Sequence, residues 1–482
     1  MRKIRSWQPI LLIVFLLFSS CFPALASNTE TKTYFSDIQE HWALESIDKW
    51  ADRGLTQGYP DGTFQPGKSV TRAEFMTWAN KAFGYTQTAP LNFTDVSKKD
   101  WFALEVAKAL AVGYISGYPD GTVKPNNSLS RQEVAVILAN ILEPQDTVAN
   151  LAGKFTDNAD IPAWSRSAIN AIVNSGYMKG YPDGTFKPAQ PMTRAEALTV
   201  LDNAVGVLYD KAGTYGEDKV TTITGNVTIS TSGITLQNTI IDGNLYLTEG
   251  IGTGNATLKN VRVKGATKVA GGGDNSIIII DSDLGSITVN VPDNHRVRLV
   301  AEGTTSIGTT NIKTPAIIEE GELTGTGFND VILQVAPGAT VRLLGDFRDV
   351  NVETPEVQLD IQKGTVQNLT LAPATQGTTI NLASDANIET FTTHSAASVT
   401  GEGKIQTANI NSDGVILEKV PTQANVAEGV KATIAGETVE GTKVFEPPAP
   451  TPVGPVGPSE PRVVSAISVE GVAKVGETLT AI

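Results

Sequence analysis

Three arginines sit at matched places in the first half of the chain, within Thr71-Arg72-Ala73-Glu74, Ser130-Arg131-Gln132-Glu133 and Thr193-Arg194-Ala195-Glu196. A hydroxyl residue followed three places on by Glu is a capping box, so each motif starts a helix. The arginine then lies in a first turn, where free amides and the helix dipole favour an anion. A guanidinium fork can grip a carboxylate through two bonds, so the chemistry on offer is anion recognition. From spacing alone, pairing with a nearby Glu or Asp on a solvated face is the plainer reading. Trp42, Trp101 and Trp164 are also matched in place. They read first as core aromatics beside a helix and second as groove walls on which a sugar stacks. Asp242, Asp281, Asp283 and Lys264 offer an acid and base group for cutting a polysaccharide. That reaction needs two carboxylates at a set separation, which spacing does not establish, and Asp is common at chain corners for conformational reasons. His41, His295 and His394 are far apart and fit no metal-ligand pattern. With no phosphate loop or nucleophile elbow either, no cofactor and no metal is implied.

The elements that position these residues recur three times. Gly58-Tyr59-Pro60-Asp61-Gly62 returns at Gly117 to Gly121 and at Gly180 to Gly184. Ahead of each stand Phe35-x-Asp37, Phe93-x-Asp95 or Phe155-x-Asp157, then the tryptophan. Leu44, Ile47 and Trp50, like Val106, Ala109 and Leu110, follow helical spacing. Tyr-Pro-Asp-Gly suits a tight reversal, with Asp61, Asp120 and Asp183 as turn residues. A second helix follows, its apolar face carried by Phe75, Met76, Ala79 and Phe83 in the first copy. A helix-turn-helix unit of this size cannot close its own core, so three should pack together with approximate threefold symmetry.

This pattern resembles the S-layer homology family over roughly a third of the chain, with repeats expected at 34–84, 93–143 and 155–207. The resemblance implies a pseudo-threefold, all-α domain that binds secondary cell-wall polysaccharide, often pyruvylated, in grooves between repeats. It also implies that Arg72, Arg131 and Arg194 touch the ligand, with Trp42, Trp101 and Trp164 as further contacts. The second unit departs most, with Ser130, Gln132 and Val123 in place of threonine, alanine and phenylalanine. That puts the shape of its groove in doubt more than its charge, and makes it the first candidate for a weak site. Replacing all three arginines by alanine is expected to abolish wall binding and leave helical content unchanged.

From about 219 to 442 the sequence turns to short alternating runs rich in Thr, Val, Ile, Asn and Gly, which are strands. Gly243, Gly265 and Gly285 recur at offsets suited to one coil of a solenoid. With few aromatics, a parallel all-β solenoid is favoured over β-sandwiches. Residues 443–462 are a proline-dense spacer. Residues 463–482 alternate like the start of an Ig-like module and stop, so the chain reads as a piece of a longer protein.

Residues 1–26 combine a basic start, an apolar run from Ile10 to Phe18 and Ala24-Leu25-Ala26, as secretory signals do. The apolar run is short for a membrane span, and no insertion is expected after cleavage. Cys21, the one cysteine, leaves with the leader; as a lipid acceptor it is poorly served by Phe18. Removing Arg2, Lys3 and Arg5 from the 37 basic residues leaves 34 against 51 acidic ones, a formal charge of −17. Nucleic acid is therefore not an expected partner, and an anionic polymer must be drawn by local cationic pockets. The function expected is a secreted, non-catalytic protein of the cell wall or surface layer, held on wall polysaccharide and open to self-association. The alternative is a wall-anchored lyase or glycoside hydrolase with its active site on the solenoid.

Overall fold

The computed structural model describes residues 34–144 and 153–440. The expected leader at 1–26, the spacer at 443–462 and the Ig-like segment at 463–482 lie outside the described residues. Six α-helices come first: α1 Leu44–Asp52, α2 Arg72–Phe83, α3 Ala103–Val112, α4 Arg131–Leu142, α5 Ala163–Asn174 and α6 Arg194–Val205. Each even-numbered helix starts at an expected capping box, where Glu74, Glu133 and Glu196 accept the Thr71, Ser130 and Thr193 amides at 2.9, 2.8 and 2.9 Å. Ile47 and Trp50 of α1 and Phe75, Met76, Ala79 and Phe83 of α2 are buried in one core shared by the three repeats.

The repeats close a ring around a common axis. Val70 N donates to Met192 O at 2.9 Å, Met192 N to Leu129 O at 2.9 Å, and Leu129 N to Val70 O at 3.1 Å. Three backbone bonds, one per repeat boundary, thus form a triangle that gives the pseudo-threefold arrangement its centre.

Strands begin at Val207–Tyr209, directly after α6, and Gly213–Tyr215 follows. The expected start near 219 falls late because these runs are too short to show an alternation. The strands stack into a parallel β-solenoid of about 11 turns. Every strand pairing is parallel except Lys431–Ile434 with Glu437–Glu440, an antiparallel hairpin that covers the last coil. Inward aliphatics fill the interior, as in Asp283–Val289, where Leu284, Ile287 and Val289 are buried. The coil shortens along the chain: Ser306 pairs with Asp283, 23 residues back, whereas Gln423 pairs with Thr407, 16 residues back. Gly243 N donates to Gly225 O and Gly265 N to Gly243 O, at 2.9 and 3.0 Å. At two of the glycines recognised in sequence the coils approach too closely for a side chain: a Cβ on Gly243 would lie 2.5 Å from Gly225 main chain and one on Gly265 2.5 Å from Gly243 O, whereas Gly285 has open space.

The two parts share a packed boundary. Tyr246 of the solenoid belongs to the helical core and meets Phe83 edge-on at 6.3 Å. Asn226 Nδ2 and Thr228 Oγ1 donate to Ala204 O and Val205 O, at 2.7 and 2.8 Å, satisfying carbonyls left over at the end of α6. Glu249 accepts the Thr86 amide and hydroxyl at 2.8 Å each, and the Gln87 amide as well.

Candidate functional site

Each Tyr-Pro-Asp-Gly turn is built to present its tyrosine. Gly62, Gly121 and Gly184 have φ of 81°, 76° and 80°, and each amide donates at 3.0 Å to the carbonyl of Tyr59, Tyr118 or Tyr181. The aspartate of Phe-x-Asp anchors the far side: Asp37 accepts the Phe64 and Gln65 amides at 2.8 Å each. Asp95 and Asp157 do the same for Val123 with Lys124 and for Phe186 with Lys187. A phenylalanine ring covers the first glycine so closely that a Cβ on Gly117 would lie 2.2 Å from Phe93. The turn aspartates act within the turn, as expected: Asp61 accepts the Thr63 amide at 3.0 Å, and the Thr63 side-chain bond holds its carboxyl below the usual range.

The three arginines occupy one environment, and it spans repeats. Arg72, Arg131 and Arg194 are 6, 5 and 2% exposed. The Nε groups donate to Val123 O at 2.9 Å, Phe186 O at 2.7 Å and Phe64 O at 2.9 Å, always on the next repeat in cyclic order. Each guanidinium lies over that repeat's turn tyrosine, Arg72 on Tyr118 at 5.1 Å, Arg131 on Tyr181 at 4.5 Å and Arg194 on Tyr59 at 5.0 Å. A lysine lies over each ring too: Lys124 at 4.1 Å, Lys187 at 4.5 Å and Lys68 at 4.5 Å. Two cations thus gather at each ring, and of the lysines Lys124 and Lys187 also pair with Asp120 and Asp183 at 3.3 and 2.8 Å. Burial raises the hydroxyl pKa of Tyr118 and Tyr181, so both stay neutral donors.

The expected free amides at these helix starts are not free. Arg72, Arg131 and Arg194 donate their amides to Asn127 O, Gln190 O and Lys68 O at 2.9, 3.0 and 2.8 Å. The next amides go to Pro125, Pro188 and Pro66 carbonyls at 2.9, 3.0 and 3.1 Å. The helix N-termini therefore join repeats, and an anion would have to be met by side chains. Pairing with acids is realised at two of the three: Arg194 meets Glu74, and Arg72 meets Glu133 at 3.4 Å. Arg131 has no carboxylate partner among the described residues and instead bonds Lys179 O at 2.7 Å.

The tryptophans overturn their first reading. Trp42, Trp101 and Trp164 are 65, 64 and 60% exposed, so they are surface and not core residues. Trp164 lines a cavity of about 500 Å³ with Arg72, Tyr118 and Glu133, a second groove to which all three repeats contribute. Trp101 lines one of about 170 Å³ with Arg194, Gln57 and Glu74, the first groove. Trp42 is the equivalent residue for the third groove, which holds Arg131 and Tyr181. The departures of the second unit fall together on the second groove, which Ser130 and Gln132 line and where Val123 O accepts from Arg72, whereas the retained Arg131 belongs to the third. Sequence reading passed over Tyr59, Tyr118, Tyr181 and the capping glutamates as site residues. Their threefold recurrence was visible, yet turn and cap roles already accounted for it. Tyr59, Tyr118 and Tyr181 donate to Glu74, Glu133 and Glu196 at 3.1, 3.0 and 2.9 Å.

On the solenoid, Asp242 pairs with Lys264 at 2.7 Å and Asp283 with Arg262 at 3.3 Å. Asp281, at φ 50°, accepts the Thr304 amide at 3.0 Å. These are ladder and corner contacts between coils, and they leave none of the three carboxylates without a protein partner. No helix among the described residues is long and apolar enough to cross a membrane, and no group of three His, Cys, Asp or Glu side chains there is placed to hold a metal ion.

The S-layer homology domain model matches residues 34–76, 92–135 and 154–198. The chain is 32% identical over 168 residues to cell surface glycoprotein 1 of Acetivibrio thermocellus, covering 32% of this chain and 7% of that one. It is 33% identical over 172 residues to an amylopullulanase of Thermoanaerobacterium thermosulfurigenes, covering 35% and 9%. It is 31% identical over 155 residues to the cellulosome-anchoring protein of A. thermocellus, covering 31% and 35%. The match thus spans a minor part of each relative. With that match falling on the ring of repeats, the chain carries three S-layer homology repeats, and a β-solenoid follows them.

Proposed function

We propose that the protein is a non-catalytic bacterial surface protein held on the wall by its three grooves, which bind a secondary cell-wall polysaccharide bearing carboxylate groups such as pyruvyl ketals. The observation that carries this reading is the recurring arginine, tyrosine and lysine stack beside an exposed tryptophan. Arginine and lysine suit a sugar-borne carboxylate, and a tryptophan face suits a pyranose ring. Three moderate sites on one polymer-covered surface add to strong retention where geometry allows simultaneous engagement. The solenoid then serves as a stalk or as the body of a surface layer, and self-association belongs to that second role. Sedimenting the full chain with bacterial sacculi, before and after chemical removal of the polysaccharide, tests the reading. Binding only to untreated walls is expected; binding to neither overturns it. The enzyme alternative draws on relatives named as glycan-degrading enzymes, and release of reducing ends from soluble polysaccharides by the purified chain would favour it.

A further inference from the structure

The third groove differs from the other two in what stands across from it. The residues equivalent to the lining of the second groove are Gly176, Tyr177, Lys179 and Asn203, and these line a cavity of about 730 Å³ whose opposite wall is the solenoid, at Thr224, Gly225, Asp242, Gly243 and Gly265. Through Ser175, Asn244 and Gly265 it runs into a second cavity of about 610 Å³, bounded by Lys264, Lys268, Ser286, Thr309 and Asn311. Single ligand pockets are commonly about 300–1,000 Å³, so the joined cleft is long enough for a chain of several sugars. Its solenoid wall at Gly225, Gly243 and Gly265 is bare main chain, since a Cβ on Gly243 or Gly265 would strike the coil below.

Charge singles out the same place. Arg131 lies behind this end, donating to Lys179 O at 2.7 Å, and it is the one repeat arginine with no carboxylate partner among the described residues. Lys179 has no ion pair among them either, and is exposed. The other lysines here are matched, Lys49 with Asp202, Lys264 with Asp242 and Lys268 with Glu143. Arg131 and Lys179 thus stand against the one groove carboxylate, Glu196, which Tyr181 bonds at 2.9 Å, and the groove end keeps a positive excess while the solenoid end is polar and near neutral.

We infer that the third groove and the first solenoid coils form one composite site for an acidic polysaccharide. A carboxylate-bearing sugar lies at Arg131 and Lys179, and the following sugars lie along the cleft to Ser286 and Thr309. The inference rests on the wall-polysaccharide reading and adds that the solenoid takes part in recognition. It makes the third groove the tightest site, because the ligand gains contacts there that the others lack.

The test uses the full chain and acid-released wall polysaccharide, cut to a few repeating units so that one fragment cannot bridge grooves, titrated calorimetrically. Ser286→Trp and Thr309→Trp fill the cleft from outward-facing strand positions, Lys179→Glu reverses the unpaired charge, and Thr379→Trp on an exposed stretch of a later coil is the control. Circular dichroism confirms that each variant keeps its strands. The expected result is loss of the tightest class of sites, by about tenfold or more in affinity, for the first three variants and no change for the control. Wild-type affinity in both tryptophan variants and in Lys179→Glu would overturn the composite site while leaving wall binding intact. A wild-type chain that binds no fragment and no walls would overturn the wall reading and this inference together.

Discussion

Arg72, Arg131 and Arg194 have two roles that sequence spacing had kept apart. Each is a staple between repeats and, in the function proposed, the cation of a groove, because a buried guanidinium can give Nε to a carbonyl and keep other N–H groups for a ligand. Alanine at Arg194 leaves Phe64 O and Gln57 O without their donor and takes the paired cation from Glu74, at a cost of roughly 3 kcal/mol. The expectation that helical content survives the triple alanine change therefore gives way to partial unfolding, seen as a lower midpoint in urea followed by tryptophan fluorescence. All five tryptophans beyond the leader lie between Trp42 and Trp164, so that signal reports the helical ring alone. The positions of these residues were legible in the sequence because the motif repeats three times. Their burial was not, because it is created by the neighbouring repeat. Trp42 shows the converse: an aromatic beside an amphipathic helix looks like core, and only the ring closure reveals that it faces outward.

At the level of elements, the helices were readable from capping boxes and apolar periodicity, both local signals. The coils were readable from glycine and aliphatic recurrence, but their first strands and their shortening were not, since three-residue strands carry almost no periodicity. One buried acid marks an irregular coil. Glu320 accepts the Phe328 and Asp346 amides at 2.9 and 3.0 Å, crowded by Gly327 and Gly345. Burial pushes its carboxyl up to about 7, despite those two bonds pulling it down. Folded Glu320 therefore holds its proton more tightly than the unfolded residue does. Its stabilising contribution is full below the unfolded value near 4.5 and is lost as pH rises towards 7. Glu320→Gln should flatten this part of the pH dependence, so the melting temperature of the β signal should fall less between pH 5 and 7.5 in the variant than in the native chain. Equal slopes in the two proteins would remove Glu320 as the source.

At the scale of the whole molecule, the ring and the solenoid are joined by packing and by hydrogen bonds, with no flexible connector between α6 and the first strand. Glu249 supports that junction by accepting from two amides and a hydroxyl across it. Glu249→Ala leaves those donors unpaired, for roughly 3 kcal/mol. The tryptophan signal of the ring should then melt before the β signal of the solenoid, whereas the native chain is expected to lose the two together. A rigid junction holds the solenoid at a fixed angle to whatever the grooves grip, as a stalk or a lattice subunit requires. That the grooves do the gripping is the central claim, and the exposed tryptophans test it most directly because they can be removed without disturbing the fold. Trp42→Ala, Trp101→Ala and Trp164→Ala combined should shift stability by no more than about 0.5 kcal/mol per site. The decisive measurement is co-sedimentation of this triple variant with intact bacterial sacculi, beside the native chain. The account predicts that the native chain pellets with the walls while the folded variant stays in solution. A variant that pellets as fully as the native chain would contradict it.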